Sequence, residues 1–211
     1  MNFIFGASRF SDLVFLECKK QNINIDGFLV EPEFLATSPP VKFGQNVMSL
    51  DFAPPESKII FGVVFENKKG PKFLRRIISR AQANRCVGRG FSNGVRDNVS
   101  VHPTAQIWSN VFVDYFTDIG SYSILRPSVH VGHDVKIGNY VYVSPSCSLG
   151  SYAEIGDDVF IGFGAKISPN CRIGRNVVVA ANAQVTTSVG DNILVLPDGR
   201  MRRTNDPFRF L

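Results

Sequence analysis

Several things are missing from this sequence of 211 residues. It has no run of about 18 apolar residues, which excludes an apolar membrane-spanning helix. Its start, MNFIFGASRF, lacks a basic region followed by a long apolar core, so no secretion signal is expected. Charge of one sign is not abundant: 23 Lys and Arg against 18 Asp and Glu leave a net charge of +5, scattered apart from the C-terminal tail. A basic stripe with interleaved aromatics is absent, which argues against nucleic-acid binding. Cysteine is sparse. Cys18, Cys86, Cys147 and Cys171 are too few for a disulfide framework and read as reduced thiols of a cytoplasmic protein. A hydrophobic content of 44% with 19% charged residues is that of a folded globular chain.

What the sequence does have is a period. From Val101 to Val185 an aliphatic residue returns at every sixth position, fifteen times in succession. Four residues after each stands a small or β-branched residue, such as Ala105, Thr117, Ser123, Cys147, Ala153, Ala165, Cys171 and Ala183. The residue just after the aliphatic is often glycine, as at Gly120, Gly132, Gly138, Gly150, Gly156, Gly162 and Gly174. A period of six predicts a parallel β-helix. Each hexad supplies one short strand and one corner, with the aliphatic inside and the glycine expected to take corner dihedrals that a Cβ resists. Three hexads close an 18-residue coil, so residues 101–190 predict about five coils, roughly 24 Å tall.

Residues 1–96 read as an α/β domain. Asn2-Phe3-Ile4-Phe5-Gly6 predicts a strand, and Phe10, Leu13, Val14 and Glu17 the buried side of a helix ending at Lys19-Lys20. Ile23 to Val30 predicts a second strand, a short strand is expected near Val47, and Ile59 to Phe65 predicts another. Pro71 opens a helix with Phe73, Leu74, Ile77 and Ile78 on one face. The Gly6-Ala7-Ser8 turn between strand and helix is of the kind that points N–H groups at a phosphate; a tight turn with no ligand is the alternative. Residues 191–211 form a tail carrying Arg200, Arg202, Arg203 and Arg209, suited to an anionic ligand, a neighbouring subunit or solvent.

The chemistry points to the histidines, His102, His130 and His133. A metal shared around a threefold axis needs histidines offset by whole coils, and the offsets here are 28, 31 and 3; no metal site is expected. His133 occupies a corner and is followed by Asp134, which is placed to fix its tautomer and leave Nε2 as a base. One coil on stands Ser151, whose backbone N–H is placed to stabilise an oxyanion. A corner histidine without a role meets the same spacing, and spacing leaves both readings open. His130 reads as a wall or surface residue and His102 as structural.

The order of these parts, with Ile4-Phe5-Gly6-Ala7-Ser8, Gly27-Phe28-Leu29, Val101-His102-Pro103-Thr104-Ala105, Val131-Gly132-His133-Asp134-Val135-Lys136-Ile137-Gly138 and Glu154-Ile155-Gly156-Asp157-Asp158-Val159-Phe160-Ile161-Gly162, resembles a known family. It is that of the left-handed parallel β-helix sugar acetyltransferases with an N-terminal Rossmann-like domain, including sialic acid O-acetyltransferases and UDP-4-amino-sugar N-acetyltransferases. The resemblance implies a homotrimer with acetyl-CoA lying between two prisms. It implies His133 as general base, Asp134 as its orienting acid and the Ser151 N–H on the thioester oxygen. Gly162, Phe163, Gly164, Ala180 and Ala181 would follow the pantetheine arm. Gly6, Ser8, Glu31 and Tyr142 would meet a sugar or nucleotide-sugar acceptor of surface-glycan biosynthesis. The sequence departs from the family at Tyr142, where many relatives carry a second histidine, and at Val30-Glu31-Pro32, where relatives carry paired aspartates. It departs also at Ser8-Arg9-Phe10, where relatives have a Gly-rich helix start, and at Val195-Leu196-Pro197-Asp198-Gly199, which replaces the family's segment closing over CoA. These last two departures keep in view a non-catalytic sugar-nucleotide-binding or assembly module, and the altered closing segment a transferase using another acyl-CoA donor.

Overall fold

The computed structural model describes residues 1–62, 75–76, 78–80, 86–88, 90 and 94–210. The chain divides into two compact units, Met1–Glu66 with Lys72–Gly88, and Asn67–Pro71 with Arg89–Leu211.

In the first unit the strands are β1 (Asn2–Phe5), β2 (Gly27–Val30), β3 (Val41–Lys42), β4 (Gln45–Ser49), β5 (Lys58–Phe61) and β6 (Cys86–Val87), in spatial order β3-β4-β2-β1-β5-β6. All neighbours are parallel except the edge pair β3–β4. Phe3, Ile4, Phe5, Phe28, Leu29, Val30, Ile59, Ile60 and Phe61 are all buried, as expected of a parallel sheet covered on both faces. The chain winds from β1 to one side through β2 and β4, then crosses to β5 and β6 on the other. That makes a switch point at the carboxyl ends of β1 and β5, the place where ligands bind in open α/β sheets. Helix α1 (Arg9–Lys20) buries Phe10, Ser11, Val14 and Cys18. Leu13, predicted on the buried side, is 46% exposed instead, because the buried stripe follows the four-residue spacing 10, 14, 18. Of the predicted strand 59–65, residues 63–65 lie outside the described residues. So do Pro71, Phe73, Leu74 and Ile77 of the predicted helix; residues 75–76 and 78–80 are helical, and Ile78 is buried.

The second unit is a parallel solenoid. Sixteen two-residue strands, β7 (Gly94–Val95) through β22 (Gln184–Val185), follow one another at six-residue steps and pair with the strand 18 residues on. They stack into three sheets. Face one carries Phe112–Val113, His130–Val131, Ser148–Leu149 and Lys166–Ile167; face two carries Asp118–Ile119, Lys136–Ile137 and Glu154–Ile155; face three carries Ile124–Leu125, Tyr142–Val143, Phe160–Ile161 and Val178–Val179. The second residue of each strand points inward. The period breaks once: after Val185 the next interior residue is Val189, bridged to Ile173, so the last coil has 16 residues. Strand β23 (Ile193–Val195) pairs with Val178–Val179, and β24 (Met201–Arg203) closes the stack by turning antiparallel onto it.

The corner glycines work differently from the expectation. None of Gly120, Gly132, Gly138, Gly150, Gly156, Gly162 and Gly174 has a positive φ. They are glycines because the next coil comes too close: a Cβ on Gly120 would stand 2.5 Å from the carbonyl oxygen of Gly138, and one on Gly162 2.5 Å from the Ala181 nitrogen. The left-handed turn falls three residues after the interior aliphatic and is taken by residues with side chains, among them Asn110, Ser128, Asp134, Tyr152, Asn170 and Asn182. Inside, hydroxyls bridge coils. The Thr117 hydroxyl donates to the Gly132 carbonyl (3.0 Å) and accepts from the Val135 N–H (3.3 Å), and Ser123 repeats this with Gly138 and Val141. Cys147 takes the same place, its thiol donating to the Gly162 carbonyl at 3.1 Å.

Candidate active site

His133 and Asp134 stand on the edge between faces one and two, in the corner that joins His130–Val131 to Lys136–Ile137. Nδ1 of His133 lies 2.9 Å from Oδ2 of Asp134. A carboxylate can only accept, so this contact places the proton on Nδ1 and leaves the Nε2 lone pair free. Both side chains are about two-fifths exposed, so the base is open to a reactant. The Tyr115 carbonyl, one coil below, accepts from the Asp134 N–H (3.0 Å), and the His133 carbonyl accepts from the Tyr152 N–H (3.1 Å) above.

Ser151 sits over Gly132, where a Cβ would come within 2.7 Å of its nitrogen. Its N–H has no hydrogen-bond partner among the described residues, and sequence position explains this. On the edge between faces two and three, the corner N–H groups of Ser121, Asn139 and Arg175 are taken by the side chains of Asn139, Asp157 and Asp191 from the coil above. Above Ser151 the corresponding residue is Pro169, which has no side-chain acceptor. The corner beside His133 therefore keeps a donor that Ser121, Asn139 and Arg175 lose, as Asp157 does beneath Arg175.

The other two histidines are otherwise engaged. Nδ1 of His102 contacts the Thr104 hydroxyl (2.8 Å) and accepts from the Thr104 N–H (3.2 Å). His130 lies on face one with its ring 4.8 Å from that of Phe112. Among the described residues no group of three His, Cys, Asp or Glu is arranged to hold a metal ion.

Gly162, Phe163 and Gly164 form the corner between faces three and one, and Ala180 and Ala181 the start of the corner directly above it. This is a different edge of the same prism from the one that carries His133. Phe163 is 55% exposed, and Gly164 takes the left-handed turn with φ +67°. Tyr142 lies on face three rather than at a corner. It is buried, stacked on Phe160 with centroids 5.4 Å apart and planes 2° from parallel, and burial pushes its phenol above the usual range.

In the first unit Gly6, with φ +117°, ends β1 at the switch point. Lys42 grips the carbonyl side of the following turn: Nζ donates to the carbonyls of Ala7 (2.7 Å) and Ser8 (3.0 Å) and pairs with Asp12. The N–H groups of Ala7, Ser8 and Arg9 have no partner among the described residues, and neither has the buried Ser8 hydroxyl. Glu31, at the end of β2, is 1% exposed and bound to Arg76 at 2.9 Å and Arg80 at 3.4 Å; Arg80 also reaches Asp51 at 3.0 Å.

Sequence reasoning missed Lys42, Arg76, Arg80 and Tyr152. Only Tyr152 had a signal available, since it lies 18 residues after Asp134 in a chain whose coils are 18 long.

Residues 152–187 match the bacterial transferase hexapeptide family, six repeats. Comparison with curated protein sequences finds no match. Solved structures align along nearly the whole of this chain. One is a point variant of perosamine N-acetyltransferase from Caulobacter crescentus in complex with CoA and GDP-perosamine: TM-score 0.81, 15% identity, covering 96% of this chain and 97% of that one. Another is the acetyltransferase domain of PglB from Neisseria gonorrhoeae in complex with acetyl coenzyme A: TM-score 0.80, 17% identity, 96% and 98% covered. A third is WeeI from Acinetobacter baumannii: TM-score 0.64, 22% identity, 96% and 99% covered. At these identities the likeness establishes the fold, an N-terminal Rossmann-like sheet followed by a left-handed parallel β-helix of hexapeptide repeats.

Proposed function

We propose that the protein is an acetyltransferase that moves the acetyl group of acetyl-CoA directly to an amino or hydroxyl group of a nucleotide-linked bacterial sugar in surface-glycan biosynthesis. The active form on this reading is a cytoplasmic homotrimer. The observation that carries the reading is the His133–Asp134 pair on a hexapeptide edge beside the uncommitted Ser151 N–H. The complexes of two structural relatives, with CoA and GDP-perosamine and with acetyl coenzyme A, supply the donor and acceptor classes.

His133 Nε2 takes the proton of the acceptor group as that group attacks the thioester carbonyl. Asp134 keeps the proton on Nδ1 and steadies the imidazolium that forms. The Ser151 N–H receives the charge that develops on the carbonyl oxygen. The thiolate of CoA then leaves and is protonated from His133 Nε2, so no covalent enzyme intermediate is required. Gly162, Gly164, Ala180 and Ala181 leave the backbone bare for the pantetheine arm, with the Phe163 ring as an apolar wall. The free N–H groups that follow Gly6, with the Ser8 hydroxyl, suit an acceptor phosphate. Glu31 acts on the acceptor side through Arg76 and Arg80, since its own carboxylate is sealed. Tyr142 serves as a fixed aromatic surface where relatives carry a titratable ring.

The test is thiol release from acetyl-CoA with a panel of nucleotide-linked amino and hydroxy sugars. His133→Ala should lower turnover by about 10²–10⁴-fold, with oligomer mass and CoA affinity retained; unchanged turnover removes His133 from the reaction. No thiol release with any acceptor, together with no CoA-induced rise in melting temperature, would replace this reading with a non-catalytic binding module.

A further inference from the structure

The left-handed corner place is filled by asparagine at Asn98, Asn110, Asn170, Asn176 and Asn182. Asparagine is among the least strained residues with a Cβ in that conformation, because its short amide is tolerated there. Among the described residues, aromatic residues hold the same place only at Phe116, Tyr122, Tyr140 and Tyr152. Tyr122 and Tyr140 stack on one another, with centroids 5.2 Å apart. Tyr152 has a different neighbour. Its ring meets the imidazole of His133 edge to face, with centroids 4.9 Å apart and planes at 86°. Its backbone is tied to the same residue through the N–H donated to the His133 carbonyl. A bulky residue kept in a disfavoured conformation at such a point is a pointer to function.

Resting on the role given to His133 above, we propose that Tyr152 is a positioning residue for the general base. One hydrogen bond, from Nδ1 to Asp134, fixes one atom of the imidazole and leaves the ring free to swing about that contact. The perpendicular Tyr152 ring removes the swing, so that Nε2 keeps a single bearing toward the acceptor. The contact is between rings, and the phenol hydroxyl has no part in it.

The experiment uses the full-length protein with Tyr152→Asn and Tyr152→Phe. The Asn variant keeps the fold, since this chain uses Asn at the same corner place directly above, at Asn170. An edge-to-face ring contact is worth enough for a kcat loss of up to about tenfold in the Asn variant, with KM for acetyl-CoA unchanged and full recovery in the Phe variant. A second readout needs no turnover. The ¹³C relaxation of the His133 ring C–H groups should show a ring fixed on the nanosecond timescale in the parent and in Tyr152→Phe, and a mobile ring in Tyr152→Asn. Ring mobility unchanged by Tyr152→Asn overturns the proposal whatever turnover does, and so does a Phe variant that behaves like the Asn variant. The acetyl-transfer reading fails separately, when turnover survives His133→Ala.

Discussion

Asp134 holds its carboxylate 2.9 Å from Nδ1 of His133 while its own backbone turns through φ +56°. The same residue makes the corner and orients the base. Asp134→Asn separates these two duties, because asparagine accepts the left-handed turn and the change removes only the charge. The new amide can offer N–H as well as oxygen to Nδ1, which lets the proton move to Nε2 and silences the base. Thiol-release kinetics should show a kcat loss of about 10²–10⁴-fold, with the melting temperature held within a few degrees. Turnover near the parent level would mean that Asp134 only shapes the corner.

The Ser151 N–H can be deleted without disturbing the coil. Pro127, Pro145 and Pro169 occupy the same hexad place, and Pro169 packs over Gly150 as Ser151 packs over Gly132. Ser151→Pro therefore fits the corner and breaks no hydrogen bond within the described residues. Its expected effect is a kcat loss of about 10²–10³-fold, the usual consequence of losing one oxyanion donor, while Ser151→Ala keeps nearly full turnover. Equal activity in the two variants would show that the charge is held elsewhere.

Glu31 carries a buried negative charge that Arg76 and Arg80 neutralise. Glu31→Ala leaves two guanidinium groups without it, and both are partly exposed, so water softens the loss. Urea unfolding should show a destabilisation of about 1–3 kcal/mol. A stability equal to the parent's, with only acceptor affinity lost, would instead make Glu31 a direct ligand contact.

The solenoid was legible because its interior must be filled once per strand, and a two-residue strand with a four-residue corner forces an aliphatic every six residues. The His133–Asp134 pair was legible because its partners are adjacent in sequence. Lys42 beneath the Gly6–Ser8 turn and Arg76 and Arg80 against Glu31 were not: these contacts span 34, 45 and 49 residues, and no period links their members. The corner glycines were visible, but their cause was not, since closeness to the next coil leaves the same residue behind as a positive φ does. The shortened last coil escaped notice because nothing in Thr186-Thr187-Ser188 marks two missing residues; only the pairing of Ile173 with Val189 shows them.

Cys147 ties the interior to pH. Its thiol is fully buried, and desolvation pushes it up to about 11. In the unfolded chain the same thiol ionises near its ordinary value of 9.0. Between these values the folded state holds a proton that the unfolded state has released, so stability is intact below about pH 9 and falls as pH rises toward 11, at up to about 1.4 kcal/mol per pH unit. Cys147→Ser should flatten that part of the curve, because Thr117 and Ser123 already show a hydroxyl donating to the next coil from the same hexad place. The measurement is urea unfolding of both proteins across this range. Parallel curves for parent and variant would show that some other group sets the alkaline limit.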